Sequence, residues 1–166
     1  MNLKKLGKTI MSNISAELIK ELRSLTGVGM SKCKEALSAS SGNIQEAISY
    51  LRKKGMASGA KKEGRETKEG FVAFKEEGGL LAIVEVNAET DFVVQNERFK
   101  EFSQDVVEQI LQNKPSSLEE LLQQKYEKDP TLTIDQYRNL VIQSLGENIQ
   151  VKKMELIKKS SQTSLG

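Results

Sequence analysis

The sequence contains no histidine and a single cysteine in 166 residues. Without histidine, Ser-His-Asp and Cys-His catalysis are excluded, and so are most structural and catalytic zinc sites. One cysteine, Cys33, cannot close an internal disulfide, which fits a reducing compartment such as the cytoplasm. Charge of one sign is also missing in bulk: 25 Lys and Arg against 23 Asp and Glu leave a formal net charge of +2. No whole-molecule field therefore draws the chain onto nucleic acid or membrane. The longest apolar run, Leu80 to Val84, is far too short to span a bilayer. Residues 1–11 hold three lysines but neither an apolar core nor a small-residue cleavage site, so they make a poor signal peptide. They are expected to be an extension, with Met11-Ser12 an equally good start. What remains is an ordinary soluble balance, 37% hydrophobic and 29% charged, with little scope for an enzyme and no feature pointing to a metal or cofactor.

The first third of the chain has helical spacing. Leu18, Leu22 and Leu25 recur at i, i+4 and i+7 with Ser15 as N-cap, and Gly27 and Gly29 interrupt the pattern. Met30, Cys33 and Leu37 form a second stripe, closed by Gly42. Ile44, Ala47, Ile48 and Leu51 form a third, opened by Asn43 with Glu46 in capping-box spacing. Three such helices can bury their stripes only against one another, which predicts a three-helix bundle over 12–56. Residues 57–68 read as a solvated basic linker that can be helical in part: from Arg52 to Lys68 seven Lys and Arg stand against two Glu, with three Gly.

Beyond the linker the period changes. Phe71–Phe74, a Glu76–Gly79 turn and the β-rich run Leu80–Val86 predict a hairpin. Phe99, Phe102, Val106 and Ile110 predict a helix ending before Pro115. Ser117 with Glu120, and Thr133 with Gln136, open two further helices, the second carrying Tyr137, Leu140, Val141 and Leu145 to a stop at Gly146. Ile149 to Ile157 alternates and predicts a last strand. The fold class is α+β: a helical bundle, a linker, a core subdomain over 69–158 and a polar tail over 159–166.

Four features invite a functional reading. Cys33 is flanked by Lys32 and Lys34 but lies on an apolar stripe, where a small hydrophobe belongs. The basic run Arg52–Lys68 could hold RNA phosphates, yet no aromatic interleaves with it to stack bases. Thr26-Gly27-Val28-Gly29 lacks Walker spacing and a preceding strand, so it reads as an interhelical turn with scope for protein binding. Asn87 to Val94 joins the strongest strand to the next helix. Its Asp91 and Phe92 admit two readings: a helix start with Phe92 packed inward, or a protruding ring that fills a partner's pocket.

Several of these residues resemble the elongation factor Ts family. Leu22-Arg23, Thr26-Gly27-Val28-Gly29-Met30 and Cys33-Lys34 are similar to its N-terminal signature, continued by Gly42-Asn43-Ile44, Ala47-Ile48 and Leu51-Arg52-Lys53-Lys54-Gly55. Glu85-Val86-Asn87 with Glu89-Thr90-Asp91-Phe92-Val93 resembles a second signature, and Gly146-Glu147-Asn148-Ile149 a third. The likeness runs from about residue 12 to 158. It implies a ubiquitin-associated-like N-terminal domain and a cytoplasmic translation factor that promotes GDP release from elongation factor Tu. By the same likeness, Arg23 and Met30 dock on the partner, and Thr90, Asp91, Phe92 and Val93 wedge near the partner's magnesium. A binding module that docks without exchange is the alternative. Ser31-Lys32 departs from the family's usual Met-Asp, and the family's second core subdomain, coiled-coil hairpin and C-terminal segment find no counterpart here. The last strand is therefore expected at an exposed edge.

Overall fold

The structure, a computed structural model, describes residues 14–160. The expected extension over 1–11 and all but Lys159 and Ser160 of the polar tail lie outside these residues. The architecture is α+β, in two compact units.

Among the described residues, the helical unit holds 14–64 together with Asn139–Gly146. Its helices are α1 (Ala16–Thr26), α2 (Met30–Ala39) and α3 (Ile44–Lys62). Capping follows the sequence: Leu18 N–H donates to Ser15 Oγ at 3.2 Å and Glu46 N–H to Asn43 Oδ1 at 3.0 Å. Gly27 ends α1 in the left-handed region, φ 70°, and donates to the Arg23 carbonyl at 2.7 Å. Leu22, Val28, Cys33, Ala36, Leu37, Ala47 and Leu51 form the core.

Two expectations are corrected here. Leu25 is exposed rather than on the buried stripe. Thr26 takes the inward position, its hydroxyl donating to the Leu22 carbonyl at 2.8 Å and accepting from Val28 N–H at 3.3 Å. The basic segment is helical in its first part, so the boundary expected at residue 57 moves: α3 continues to Lys62. Its glycines mark a contact surface instead of a break. Gly55 and Gly59 are buried, and a Cβ at Gly55 would stand 3.3 Å from the Asn139 carbonyl oxygen. Only a helix face without side chains lets Asn139 approach so closely.

Among the described residues, the second unit comprises Arg65–Arg138 and 147–160. Strands β1 (Glu69–Glu77) and β2 (Leu80–Ala88) form an antiparallel hairpin, closed by Gly78 and Gly79 with φ 58° and 77°. Two consecutive positive φ values match the twist of a two-residue hairpin turn and favour glycine at both positions. Strand β5 (Ile149–Lys158) pairs antiparallel with β2, giving the order β1-β2-β5 with β5 at an edge. Ala82, Val84, Val86 and Ala88 alternate inward along β2. The core they join includes Phe99, Phe102, Val106 and Ile110 of helix α5 (Glu97–Asn113). The opposite face keeps Val72 and Phe74 exposed.

Between them lie α4 (Asp91–Val94), α6 (Leu118–Gln123), β3 (Lys125–Tyr126), β4 (Asp129–Thr133) and α7 (Ile134–Leu145). The capping box before α7 is complete: Thr133 N–H donates to Gln136 Oε1 at 2.9 Å, and Gln136 N–H to Thr133 Oγ1 at 3.1 Å. The β3–β4 hairpin had no signal in the sequence, since two-residue β3 offers no alternation to read.

Candidate functional site

Strand β2 delivers its last residue, Ala88, to the core, and two residues later Thr90 begins a tight turn. Thr90 keeps extended backbone angles, φ −128° and ψ 153°, and its hydroxyl accepts from Val93 N–H at 3.3 Å. This is an N-cap, and it starts the single turn α4. Asn96 then accepts from Arg98 N–H at 2.8 Å and starts α5 one turn later. Two caps within seven residues bend the chain sharply.

The consequence is a division of the turn into halves. Val93 and Val94 are buried, at 5% and 3% exposure, while Asp91 and Phe92 face solvent. Phe92 is 86% exposed. A ring this open gains nothing from its own fold, so the inward-packed reading of Phe92 does not hold. The valines do that packing instead, one and two residues later.

Thr90 is tied from outside the turn as well. Its N–H donates to Glu147 Oε1 at 3.0 Å and its hydroxyl to Glu147 Oε2 at 2.7 Å. Glu89 reaches the other way, accepting from Asn148 N–H at 2.8 Å and pairing with Arg65 at 3.5 Å. The sequence marked Glu147 only as part of a signature. Its contact to Thr90 spans 57 residues, and no spacing rule reveals it.

Arg23 and Met30 belong to the helical unit. Arg23 is exposed in the last turn of α1, and Met30 opens α2 at 43% exposure. Leu25, at 57%, adds a second exposed apolar side chain near the same reversal, and it was missed because its spacing suggests core. Cys33 is fully buried and its thiol donates to the Val28 carbonyl at 3.3 Å. Burial raises the pKa of this thiol, which opposes thiolate chemistry.

A second polar cluster lies on α5. The buried Asp105 accepts from Tyr137 O–H at 2.6 Å and from Lys128 at 2.7 Å, and Lys128 also meets Glu108 at 3.0 Å. Lys75 reaches Glu108 from β1 at 3.5 Å. Burial and the bond to Asp105 push the Tyr137 hydroxyl far above its ordinary pKa. Each carboxylate here has a cation or donor, so the cluster reads as a fastening between α5, the β3–β4 hairpin and α7. Among the described residues no three His, Cys, Asp or Glu converge as metal ligands, and no helix is long and apolar enough to cross a membrane.

The family described as Elongation factor TS matches residues 89–165, a stretch that begins at the Thr90 turn and includes its Glu147 tie. Over this stretch the chain is similar to the elongation factor Ts family. Among curated members, elongation factor Ts of Protochlamydia amoebophila is 55% identical over 156 residues. The elongation factor Ts proteins of Chlamydia felis and Chlamydia pneumoniae are 47% and 46% identical over the same length. Each comparison covers 94% of this chain and 55% of the relative, so the chain spans about half the length of the family members it matches.

Proposed function

We propose that this chain acts in protein synthesis, in the cytoplasm, as a guanine-nucleotide exchange factor that promotes GDP release from elongation factor Tu. The exposed Phe92 above the buried Val93 and Val94 carries this reading. A hydrophobic ring held out on a short turn capped by Thr90 is an anchor for a partner's pocket, since such aromatics dominate interface energies. Asp91 beside it would meet polar groups near the partner's magnesium. Disturbing that ion removes positive charge from the diphosphate, and the nucleotide dissociates faster.

Arg23 and Met30, with Leu25, supply a separate docking surface on the helical unit. Binding there contributes affinity, while the Phe92 turn distinguishes the nucleotide-free partner from the GDP-bound one. Linkage makes the effect reciprocal: a factor that weakens GDP binding is itself weakened by GDP to the same extent. No covalent bond changes, so the chain is a catalyst of exchange rather than an enzyme of bond chemistry.

Stopped-flow release of fluorescent GDP from elongation factor Tu tests the proposal. A saturable acceleration by the full chain is expected. Binding without any change in GDP release would reject exchange and leave a docking module, the reading favoured by the exposed Leu25 and Met30 taken by themselves.

A further inference from the structure

Thr90 and Glu147 stand at one end of the β2–β5 ladder. The last residues of that ladder pair as Val86 with Val151, Asn87 with Gln150 and Ala88 with Ile149. Continuing the register by two places would set Glu89 opposite Asn148 and Thr90 opposite Glu147. Those are the pairs that meet, but by a different chemistry. The backbone N–H of Thr90 goes to the Glu147 carboxylate, and the backbone N–H of Asn148 goes to the Glu89 carboxylate. Side-chain carboxylates replace the carbonyl acceptors of a ladder in both directions. The chain of β2 is thereby free to turn into α4 without leaving these two N–H groups unpaired.

Glu147 does more than satisfy an N–H. Its second oxygen takes the proton of the Thr90 hydroxyl at 2.7 Å, which leaves that hydroxyl's lone pairs directed toward Val93 N–H at 3.3 Å. The relay runs from Glu147 through the Thr90 hydroxyl to the first turn of α4. A hydroxyl held by a carboxylate is a fixed acceptor, whereas an untethered one rotates among several partners. Asn148 is itself held, its amide donating to the Arg65 carbonyl at 2.7 Å and its Oδ1 accepting from Gln150 at 2.9 Å. The base of the clasp is therefore fixed to the sheet.

We infer that Glu147 is the positioning residue of the Phe92 turn: through the Thr90 hydroxyl it holds α4 in the orientation that points Phe92 outward. This rests on the exchange reading for its functional consequence, but not for its structural one. The stored geometry is cheap to lose. The buried Val93 and Val94 hold the turn from below, and without Glu147 the N-cap loosens and Phe92 samples many directions. The ring remains present and exposed, yet its presentation to a pocket becomes rare. Positioning of this kind alters the maximal exchange rate more than the concentration needed for half-saturation, because docking through Arg23 and Met30 is untouched.

The full-length chain carrying Glu147→Ala, Glu147→Gln or Phe92→Ala, and the Glu147→Ala/Phe92→Ala pair, provides the test. In stopped-flow GDP release, Glu147→Ala should lower the maximal rate about tenfold, the loss of one charge-assisted contact, with half-saturation unchanged. Glu147→Gln keeps an acceptor for Thr90 N–H and should recover part of that rate. In the Phe92→Ala background the Glu147 substitution should cost nothing further, since its effect acts through the ring; a general loss of folding would instead remain additive. A wild-type rate retained in Glu147→Ala would overturn the inference while leaving exchange intact. If the unaltered chain releases no GDP, the exchange reading fails, and amide hydrogen exchange decides the clasp. Faster exchange at Val93 in Glu147→Ala than in the unaltered chain supports it, and equal rates overturn it.

Discussion

Replacing Phe92 by Ala separates what the fold needs from what the partner needs. A phenylalanine carries roughly 150–250 Å² of surface that burial can remove from water. With 86% of the residue exposed in the free chain, about 170 Å² is available to a pocket. At about 25 cal/mol per Å² this sets a ceiling near 4 kcal/mol. Alanine keeps one carbon of the side chain, and a wedge inserted beside helices is covered incompletely, so about half the ceiling, roughly 2 kcal/mol, is expected. That corresponds to about a 30-fold loss in exchange efficiency. The same exposure predicts almost no effect on the fold: the melting free energy should move by no more than about 0.5 kcal/mol. Fluorescent GDP release measured beside a thermal melt of the same sample reads both quantities. An unchanged exchange rate at an unchanged melting temperature would refute the wedge. A large drop in melting temperature would refute the claim that Phe92 is idle in the free molecule.

Other consequences concern the fastenings beneath the site. Tyr137→Phe removes the donor to the buried Asp105 and should destabilise the chain by about 1.5–3 kcal/mol, read by urea unfolding. The pH dependence follows from the same residue. Its folded pKa lies above its unfolded value of about 10, so its contribution is intact below pH 10 and is lost as pH rises further. Stability should then fall by up to about 1.4 kcal/mol per pH unit from Tyr137 alone, and Tyr137→Phe should flatten that slope in alkaline melts. Gly59→Ala would drive a Cβ into the Asn139 side chain, 2.9 Å from its Cγ, whereas Gly64→Ala meets nothing within 4 Å. Overpacking should outweigh the gain in helix propensity at Gly59 and cost about 1 kcal/mol by thermal melt, with Gly64→Ala near neutral. Equal melting temperatures for the two variants would show that Asn139 yields freely.

Much of this molecule was legible because its rules are local. Ser15, Asn43, Ser117 and Thr133 cap helices through contacts three residues away, which spacing alone reveals. The Gly78-Gly79 turn and the alternation along β2 are equally local, as is the stop at Gly146. The residues of the Thr90 turn could be singled out from their place between strand and helix, and the family likeness added a task for them.

The sequence could not decide which way Phe92 points, because a turn of four residues offers no period to read. That orientation comes from Val93 and Val94 reaching the sheet core and from Glu147 holding Thr90 across 57 residues. Leu25 and Thr26 exchanged places for a similar reason: a hydroxyl that returns to the Leu22 carbonyl can be buried, and the leucine beside it is left outside. The glycines of α3 looked like linker until Asn139 lay against them. Spacing along the chain determined the elements and the turn that carries Asp91 and Phe92. Contacts between residues far apart in sequence decided that the aromatic ring, rather than the valines after it, stands in solvent.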